Sequence, residues 1–301
     1  MKIIIIGSKG FIGHHLLNHY REVGYEVWGA DVINDYTEKN YYFLIDASNA
    51  DYRSVFERLE YDLCINCSGA ASVPDSMENP MRDFHLNTLN VYKLLEAIRI
   101  FQPACRLINL SSAAVYGNPV KLPVAETDLP NPLSPYGTHK LLAEQICKEY
   151  YDFFKIRSCN LRLFSVYGPG LRKQLFWDLY NKAVANTPFT LYGTGFESRD
   201  FINVADLVKA IDIVGRCSAF EADIVNVANG EEILIKDAVS IFLGFFRHKT
   251  SYFFSGETRE GDPKNWLADI SRLRSCGYQQ SIEIYDGLKT YYEWVKSGSN
   301  K

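Results

Sequence analysis

The stretch IIIIGSKGFIGHHLL, Ile3 to Leu17, joins an apolar run to a helix-like segment through three regularly spaced glycines. The isoleucines predict a buried strand, and the residues after the glycines predict a helix that ends at Gly24. Glycines between a strand and a helix allow a tight turn, a close approach of the backbone to a pyrophosphate, and tight helix–strand contact. Free N–H groups and the helix dipole at such an N-terminus also favour an anion. The stretch therefore predicts a dinucleotide-binding turn, with a G-x-x-G-x-x-G spacing one residue longer than the dehydrogenase fingerprint.

An acidic residue, Asp31, ends the second predicted strand, YEVWGAD. Its distance along the chain from the glycine turn is close to the roughly 20 residues expected for a ribose-binding carboxylate. A carboxylate there accepts hydrogen bonds from both ribose hydroxyls and repels a 2′-phosphate, so the sequence predicts NAD rather than NADP. The alternative interpretation is an ordinary Asp in a turn after a strand.

Strand-like and helix-like segments alternate through the first half of the chain. The near-continuously apolar strands predict an α/β fold with a Rossmann-type, doubly wound parallel sheet covered on both faces. After about Ser165, frequent turn signals such as YGPG and YGTG indicate a smaller, loop-rich α/β substrate domain. The later stretches DFINVADLVKAIDIV and DIVNVAN nevertheless resemble a helix and a strand of the first domain. We therefore expect residues 1–165 plus about 200–228 to form the NAD-binding domain, and about 166–199 plus 229–301 to form the second domain.

The composition of the 301 residues excludes several classes of protein. The net charge is -4 and the sequence has no basic run, so a nucleic-acid partner is not expected. No apolar run reaches the roughly 18 residues that a membrane span needs. Seven cysteines with scattered spacing suit a reducing compartment, which predicts a cytoplasmic protein without a disulfide framework. Cys64 and Cys67 fall on one strand and should point to opposite faces, so no metal site is predicted.

The stretch NPLSPYGTHKLLAEQ predicts a helix that carries a tyrosine and a lysine on one face. Ser134 suits the N-cap and Pro135 the first helical position. Tyr136 and Lys140 are then i and i+4 neighbours. A free tyrosine has a pKa of about 10, and a nearby ammonium together with a cationic nicotinamide would lower it. The pair therefore predicts a tyrosine that acts as a general base.

The glycine turn, Asp31, the stretch LSSAAVYG (Leu110–Gly117) and the Tyr136/Lys140 pair follow one another in a consistent order. With this set the chain resembles the extended short-chain dehydrogenase/reductase family, in its nucleotide-sugar epimerase and dehydratase branch, which includes UDP-glucose 4-epimerase. The resemblance covers nearly the whole chain and includes the stretches INCSGAASV, FHLNTLN, LRLFSVYGPG, LYGTG, SRDFINVAD and TREGDP. It implies NAD as cofactor, a UDP- or dTDP-hexose as substrate bound by the second domain, and a homodimer.

The resemblance also implies a role for individual residues. Ser112 would hydrogen-bond the reacting sugar hydroxyl, Tyr136 would remove its proton, and Lys140 would hold the nicotinamide ribose. The residues implied to bind the cofactor are Gly7, Gly10, Phe11, Ile12, Gly13, Asp31, Asp46, Ala47, Ser68, Gly69, Ala70, Asn87, Ser111, Tyr136 and Lys140. Those implied to bind the substrate are Ser112, Tyr136, Ser165, Gln174, Arg199, Arg259, Asp262 and Trp266.

Several of these substrate residues have alternative interpretations. Guanidinium groups suit a diphosphate, but Arg199 and Arg259 could instead form ion pairs with Asp200 or Asp262. Galactose epimerases usually carry Asn at the position of Ser165, which leaves the sugar open. Trp266 lies where that family borders the pocket for the sugar's 2-position, so its bulk predicts non-acetylated hexoses. It could instead only pack the second domain.

The type of reaction depends on the two residues after Ser112. The family's 4,6-dehydratases place an Asp and a Glu there, because elimination needs a general acid and a general base within reach. Ala113 and Ala114 occupy these positions and cannot transfer protons. We therefore predict an NAD-dependent nucleotide-sugar 4-epimerase that acts through a transient 4-keto sugar. The alternatives are an NAD(P)H-dependent 4-keto-sugar reductase and a catalytically silent NAD-binding member of the family.

Overall fold

The computed structural model describes residues 1–35, 37, 41–247 and 250–298 of the chain. Its strands are β1 (Lys2–Ile6), β2 (Glu26–Asp31), β3 (Tyr42–Leu44), β4 (Leu63–Asn66), β5 (Arg106–Ser112), β6 (Ser158–Leu163), β7 (Ser165–Tyr167), β8 (Phe189–Leu191), β9 (Ser198–Arg199), β10 (Phe201–Asn203), β11 (Glu221–Val227), β12 (Ile233–Leu234) and β13 (Tyr252–Phe254). Its α-helices are α1 (Phe11–Glu22), α2 (Arg53–Phe56), α3 (Val73–Glu78), α4 (Pro80–Phe84), α5 (Asn90–Phe101), α6 (Pro135–Phe154), α7 (Gln174–Val184), α8 (Val204–Cys217), α9 (Ile235–Leu243), α10 (Ser271–Ser275) and α11 (Ile284–Gly298).

The main sheet is parallel, with seven strands in the order β11-β6-β5-β4-β1-β2-β3. Its two faces are covered by separate apolar clusters. Ile3 and Ile5 of β1 join the cluster that includes α1 and α8, whereas Ile4 and Ile6 join the cluster that includes α2, α5 and α6. This confirms the predicted doubly wound sheet, since both sides of the isoleucine run are buried.

The remaining strands form small pairs outside the main sheet. β7 pairs with β10, β9 with β12, and β8 with β13. Together with α7, α9 and α11 they surround a third apolar cluster that is rich in aromatic rings, including Phe176, Phe242 and Tyr291. β11 joins the main sheet and α8 packs on α1, as the stretches DIVNVAN and DFINVADLVKAIDIV predicted. The exact division into two domains stays a prediction.

The sequence from about Asn79 to Phe101 has the pattern of one long helix, but the structure is not uniform there. α4 begins at Pro80, α5 ends at Phe101, and a π-helical turn, His85–Leu89, lies between them. Such turns insert one extra residue into an α-helix and occur frequently at functional sites. The turn contains Asn87, so the irregularity lies at a predicted cofactor residue.

The cysteines agree with the sequence analysis only in part. Cys64 and Cys67 pack into clusters on opposite faces of the sheet, as expected. In contrast, Cys217 at the end of α8 and Cys276 after α10 form a disulfide with a Cα–Cα distance of 5.8 Å. The expectation of unpaired thiols is therefore wrong for this pair. Sequence spacing could not reveal it, because the two residues are 59 positions apart and meet only through folding.

Reduction of the Cys217–Cys276 disulfide is expected to destabilise the protein. The bridge closes a segment of 59 residues, and losing it frees the unfolded chain. The free energy of unfolding should fall by up to about 4 kcal/mol. Denaturant unfolding with and without dithiothreitol measures this change. A Cys217→Ser variant should not respond to the reductant, and equal stability of the natural protein under both conditions would contradict the prediction.

Candidate active site

The glycine turn has the close contacts that the sequence predicted. Gly7 has φ +81°, and a Cβ there would lie 2.8 Å from the backbone of Cys67 and Ser68. A Cβ at Gly13 would lie 2.1 Å from the carbonyl oxygen of Gly7. Gly10 is the N-cap of α1, which begins with Phe11 and Ile12. The turn therefore brings the open N-terminus of α1 against the ends of β1 and β4, as a pyrophosphate site requires.

Asp31 is tied to this turn by its side chain. Its carboxylate accepts a hydrogen bond of 2.8 Å from the backbone N–H of Lys9 and one of 2.7 Å from that of Val32. The Lys9 ammonium pairs with Asp35 and lowers the pKa of that carboxyl group. Because the Lys9 bond spans 22 residues, a purely local turn does not account for the position of Asp31. The Asp31 carboxylate and the Lys9–Asp35 ion pair thus lie together beside the glycine turn.

Replacing Asp31 with Ala tests the predicted choice of NAD. Without the carboxylate, a 2′-phosphate is no longer repelled and the ribose hydroxyls lose an acceptor. We expect the affinity for NADPH relative to NADH to rise about tenfold, as loss of one nearby charge contact allows. Fluorescence titration of both nucleotides measures the ratio. Asp152→Ala, a change of the same charge on the outer part of α6, is the control, and an unchanged ratio in Asp31→Ala would refute the assignment.

The ends of β3 and β4 carry the other predicted cofactor residues. Asp46 and Ala47 are exposed, and the Asp46 carboxylate accepts from the backbone and hydroxyl of Ser48 at 2.7 and 2.6 Å. Gly69 has φ +121° and would place a Cβ 2.4 Å from the Asn87 side-chain oxygen. Ser68 and Ala70, on either side of Gly69, are half-buried.

Asn87 is 1% exposed, and neither its amide nitrogen nor its oxygen has a hydrogen-bond partner among the described residues. Buried amides are normally hydrogen-bonded, so this side chain is suited to hold a further polar group. Together with the backbone cradle at the glycine turn, it fits an NAD molecule laid across the ends of β1 and β4.

The three predicted catalytic residues meet at the end of β5. Ser112, Tyr136 and Lys140 are 9%, 9% and 7% exposed. The Tyr136 hydroxyl and Ser112 are hydrogen-bonded, and the Lys140 ammonium donates to the Leu110 carbonyl at 2.9 Å. Ser134 caps α6 as predicted, accepting from the Gly137 N–H. The helix thus places the base and the lysine against the strand that carries the serine.

The expected lowering of the Tyr136 pKa is not produced by the protein alone. Burial raises it to about 12, an effect larger than the opposing hydrogen bond from Ser112. Burial also lowers the pKa of Lys140 to about 8, and the charge of Asp83 on α4 counteracts this. The Lys140 ammonium lies 6.0 Å from the Tyr136 ring centroid and donates to a backbone carbonyl instead. Desolvation of the buried hydroxyl causes this difference from the expected pKa, and a sequence pattern carries no information about desolvation.

Arg199 at the end of β9 interacts electrostatically with Asp262, which lies with Arg259 in the loop after β13. The Arg199 guanidinium donates to the carbonyl of Lys264 at 3.0 Å, and that of Arg259 lies 4.2 Å from the ring centroid of Tyr192. Desolvation raises the pKa of Asp262, while both arginines lower it. Both arginines therefore act on the same acid, Asp262, and their binding of a diphosphate stays a prediction.

Asp200 is not an ion-pair partner for these arginines. Its carboxylate is fully buried and accepts from the backbone N–H groups of Asn229, Gly230 and Ala268 at 3.0 to 3.2 Å. Burial raises its pKa to about 7. Asp200 instead joins the end of β11 to the segment that carries Trp266, a role without a signal in the sequence.

Trp266 packs against the apolar cluster that includes α1 and α8, and it contacts the turn that follows Ser112. Its ring lies 5.9 Å from that of Phe164, and its indole N–H donates to the Gly117 carbonyl at 3.0 Å. Gly117 ends the LSSAAVYG stretch, so the tryptophan is fixed to the residues that follow Ser112. Its role at the sugar's 2-position stays a prediction.

Two further substrate residues lie at the start of elements. Ser165 begins β7 and is half-buried, and the exposed Gln174 begins α7 with φ +68°. Ser111 differs from the expectation for a cofactor residue, since its hydroxyl donates to the buried Glu144 at 2.5 Å. The binding roles of Ser111, Ser165 and Gln174 stay predictions.

Sequence reasoning missed two acidic groups near the catalytic residues. Asp83 is 3% exposed and its carboxylate is 2.6 Å from Nδ1 of His139. Glu144 lies on the same face of α6 as Lys140 and is 4% exposed. The i+4 spacing from Lys140 to Glu144 was a visible signal, but only burial distinguishes it from an exposed helix position.

A parallel doubly wound sheet with a glycine turn, a strand-end Asp and a Ser, Tyr and Lys at one site defines an extended short-chain dehydrogenase/reductase. The chain belongs to the NAD dependent epimerase/dehydratase family, whose model matches residues 3–228. NAD is the cofactor of that family.

Relatives of known structure or activity match along the whole chain. UDP-glucuronate 4-epimerase 2 of Arabidopsis thaliana is 26% identical and covers 100% of this chain and 78% of its own length. The UDP-glucuronic acid 4-epimerase from Bacillus cereus, solved with UDP-glucuronic acid and NAD, is 27% identical, with a TM-score of 0.89 and 99% of both chains covered. MoeE5, solved with UDP-glucose and NAD, is 25% identical, with a TM-score of 0.90, and covers 99% of this chain and 100% of its own.

Proposed function

We propose that this protein is an NAD-dependent 4-epimerase of UDP-hexoses. The observation that carries the proposal is the buried group of Ser112, Tyr136 and Lys140. Two alanines, Ala113 and Ala114, directly follow Ser112 in the sequence. Ala113 is fully buried in the core and Ala114 is 8% exposed, so neither position offers an acid or a base for elimination. The chemistry that remains is oxidation at C4 followed by reduction at the same carbon, as we propose, or reduction of a 4-keto sugar alone, as in the reductase alternative.

The residues of the chain handle the proton and the substrate. Tyr136 takes the proton of the sugar's 4-hydroxyl while Ser112 hydrogen-bonds that hydroxyl, and Tyr136 returns the proton after the 4-keto sugar has turned over. Lys140 would hold the nicotinamide ribose. Arg199 and Arg259 bind the diphosphate. Bound NAD supplies the acceptor and donor of the hydride.

The test offers purified protein UDP-glucose, UDP-galactose and UDP-glucuronate without added cofactor. Chromatography should show each sugar converted to its 4-epimer. Turnover that requires a 4-keto sugar and stoichiometric NADH or NADPH would identify the reductase alternative and overturn the epimerase. Binding of NAD without turnover of any of these sugars would indicate the catalytically silent alternative.

Replacing Trp266 with Ser should admit N-acetylated sugars. The indole ring is lost, and with it the bulk that we propose borders the 2-position. We expect kcat/KM for UDP-N-acetylgalactosamine relative to UDP-galactose to rise at least about tenfold, the scale on which pocket size discriminates. Trp177→Ser, which removes a tryptophan beside Arg172, is the control. An unchanged ratio in Trp266→Ser would reject the proposed gate.

We further propose a homodimer in the cytoplasm. Met81 on α4 and Phe153 on α6 are large apolar side chains that are 70% and 77% exposed, and a second subunit could cover them. Light scattering should give twice the mass of one chain, and a monomer would contradict the proposal. Among the described residues, no helix has the length and apolar character needed to cross a membrane.

A further inference from the structure

One face of α6 carries three polar side chains at intervals of four residues: Tyr136, Lys140 and Glu144. All three are more than nine-tenths buried. The first two have roles in the proposed reaction, whereas Glu144 has no role assigned to it above. A buried carboxylate is costly unless it is paired and hydrogen-bonded, so its partners indicate what it does.

Glu144 binds the ends of two neighbouring strands. Arg162 of β6 donates to it twice, from Nε to Oε1 at 3.0 Å and from Nη2 to Oε2 at 2.7 Å. The Ser111 hydroxyl of β5 donates to the same Oε1 at 2.5 Å. Ser111 and Arg162 are direct partners in the β5–β6 register. The Glu144 carboxylate on α6 therefore bridges Ser111 of β5 and Arg162 of β6.

The contacts of α6 follow β5 residue by residue. Lys140 donates to the Leu110 carbonyl, Glu144 accepts from the Ser111 hydroxyl, and Tyr136 is hydrogen-bonded to Ser112. Three consecutive residues at the end of the strand are thus each held by one residue of the helix. Loss of the contact at Ser111 would free the residue next to the reacting serine.

Arg162 extends this support to the other side of Ser112. Its guanidinium lies 4.6 Å from the ring centroid of Tyr116, and Nη1 donates to the Glu126 carbonyl at 3.4 Å. The Tyr116 hydroxyl donates to Asn226 at 2.7 Å. Tyr116 ends the short helical turn that follows Ser112. The segment around the serine is therefore held both before and after it.

We propose that Glu144, held by Arg162, is a positioning residue for the reaction: it fixes Ser112 against Tyr136 and supplies negative charge beside Lys140. The inference rests on the proposed epimerase function. The groups that act on Lys140 are Asp83 from α4, Cys67 after β4 and Glu144 from α6, and all three raise its pKa against the effect of burial.

The first test is Glu144→Gln, which keeps the shape and removes the charge. We expect kcat to fall about a hundredfold with little change in KM, because a small misplacement of reacting groups has effects of that size. Removing the negative charge also lowers the pKa of Lys140 further. The ammonium is then lost at a lower pH, so the alkaline limb of the kcat profile, and of NADH binding, should shift to lower pH.

Glu144→Gln leaves the Arg162 charge unpaired, which lowers stability. Ser111→Ala is therefore the second variant, since it removes a single hydrogen bond and leaves the ion pair intact. We expect it to fold and to lose about tenfold in kcat. Glu57→Gln, which breaks an exposed ion pair with Arg53 on α2, is the control and should change neither property.

The proposal is overturned if Ser111→Ala keeps full kcat, or if folded Glu144→Gln keeps both kcat and the alkaline midpoint of NADH binding. The pH midpoint of NADH binding can be measured without turnover of any sugar, so it separates failure of this proposal from failure of the proposed epimerase function. A natural protein that converts no UDP-sugar would refute the epimerase, while the midpoint in Glu144→Gln would still decide whether its charge acts on Lys140.

Discussion

Tyr136→Phe should lower kcat about 10²- to 10⁴-fold, the range in which a positioned general base acts. The substitution removes only the hydroxyl, and the ring remains in its buried place between Ser112 and Lys140. Ser112 keeps its hydrogen bond from the Ala114 N–H at 3.1 Å, so the serine remains oriented. The KM for the UDP-sugar should therefore change only a few-fold. Steady-state kinetics with the 4-epimer ratio as readout measures both values.

Tyr150→Phe is the matched control for this prediction. Tyr150 lies on the same helix, is 1% exposed, and donates its hydroxyl to Glu96 at 3.0 Å, away from the catalytic residues. Its loss should leave kcat unchanged. Full activity in Tyr136→Phe would remove Tyr136 as the base, and equal losses in both variants would point to a general effect on α6.

Gly13→Ala should abolish tight binding of NAD and destabilise the fold by about 1 to 3 kcal/mol, the usual cost of overpacking. The new methyl group would lie 2.1 Å from the Gly7 carbonyl oxygen and 2.9 Å from the Ser8 Cα. Both neighbours are backbone and cannot move aside without opening the turn. Denaturant unfolding and NADH titration measure the two effects.

Gly215→Ala provides the control for an added methyl group within a helix. Its Cβ would meet the side chains of Ile108 and Leu63 at 3.6 Å, an ordinary van der Waals distance. Because alanine favours a helix over glycine by about 1 kcal/mol, this variant should be at least as stable as the natural protein. Normal NADH binding in Gly13→Ala would show that the turn does not need a glycine at that position.

Much of the fold was readable because local patterns and tertiary structure agree. The isoleucine run predicted β1, and its alternate side chains are buried on both faces. Ser134 and Pro135 predicted the beginning of α6, which starts at Pro135 as expected. The π-helical turn at His85–Leu89 was not readable, since apolar periodicity across one extra residue still resembles an α-helix.

The residues of the candidate site also fall into two groups, those that the sequence could place together and those that only folding brings together. Residues close in sequence, such as Tyr136 and Lys140, could be placed on one helix face in advance. Arg199 and Asp262 influence each other across 63 positions, and the Cys217–Cys276 bridge spans 59. Such pairs depend on how loops pack against the sheet, and a single sequence carries no local signal for that.

The sequence by itself determined the doubly wound sheet, the glycine turn for NAD, the prediction of Ser112, Tyr136 and Lys140 as catalytic residues, and the absence of proton-transferring side chains at Ala113 and Ala114. These features rest on residue type and short spacing. Only the tertiary structure decided the raised pKa of Tyr136, the structural role of Asp200 and the place of Glu144 between two strands. The physical reason is that desolvation and long-range pairing arise when distant segments exclude water from the same small volume.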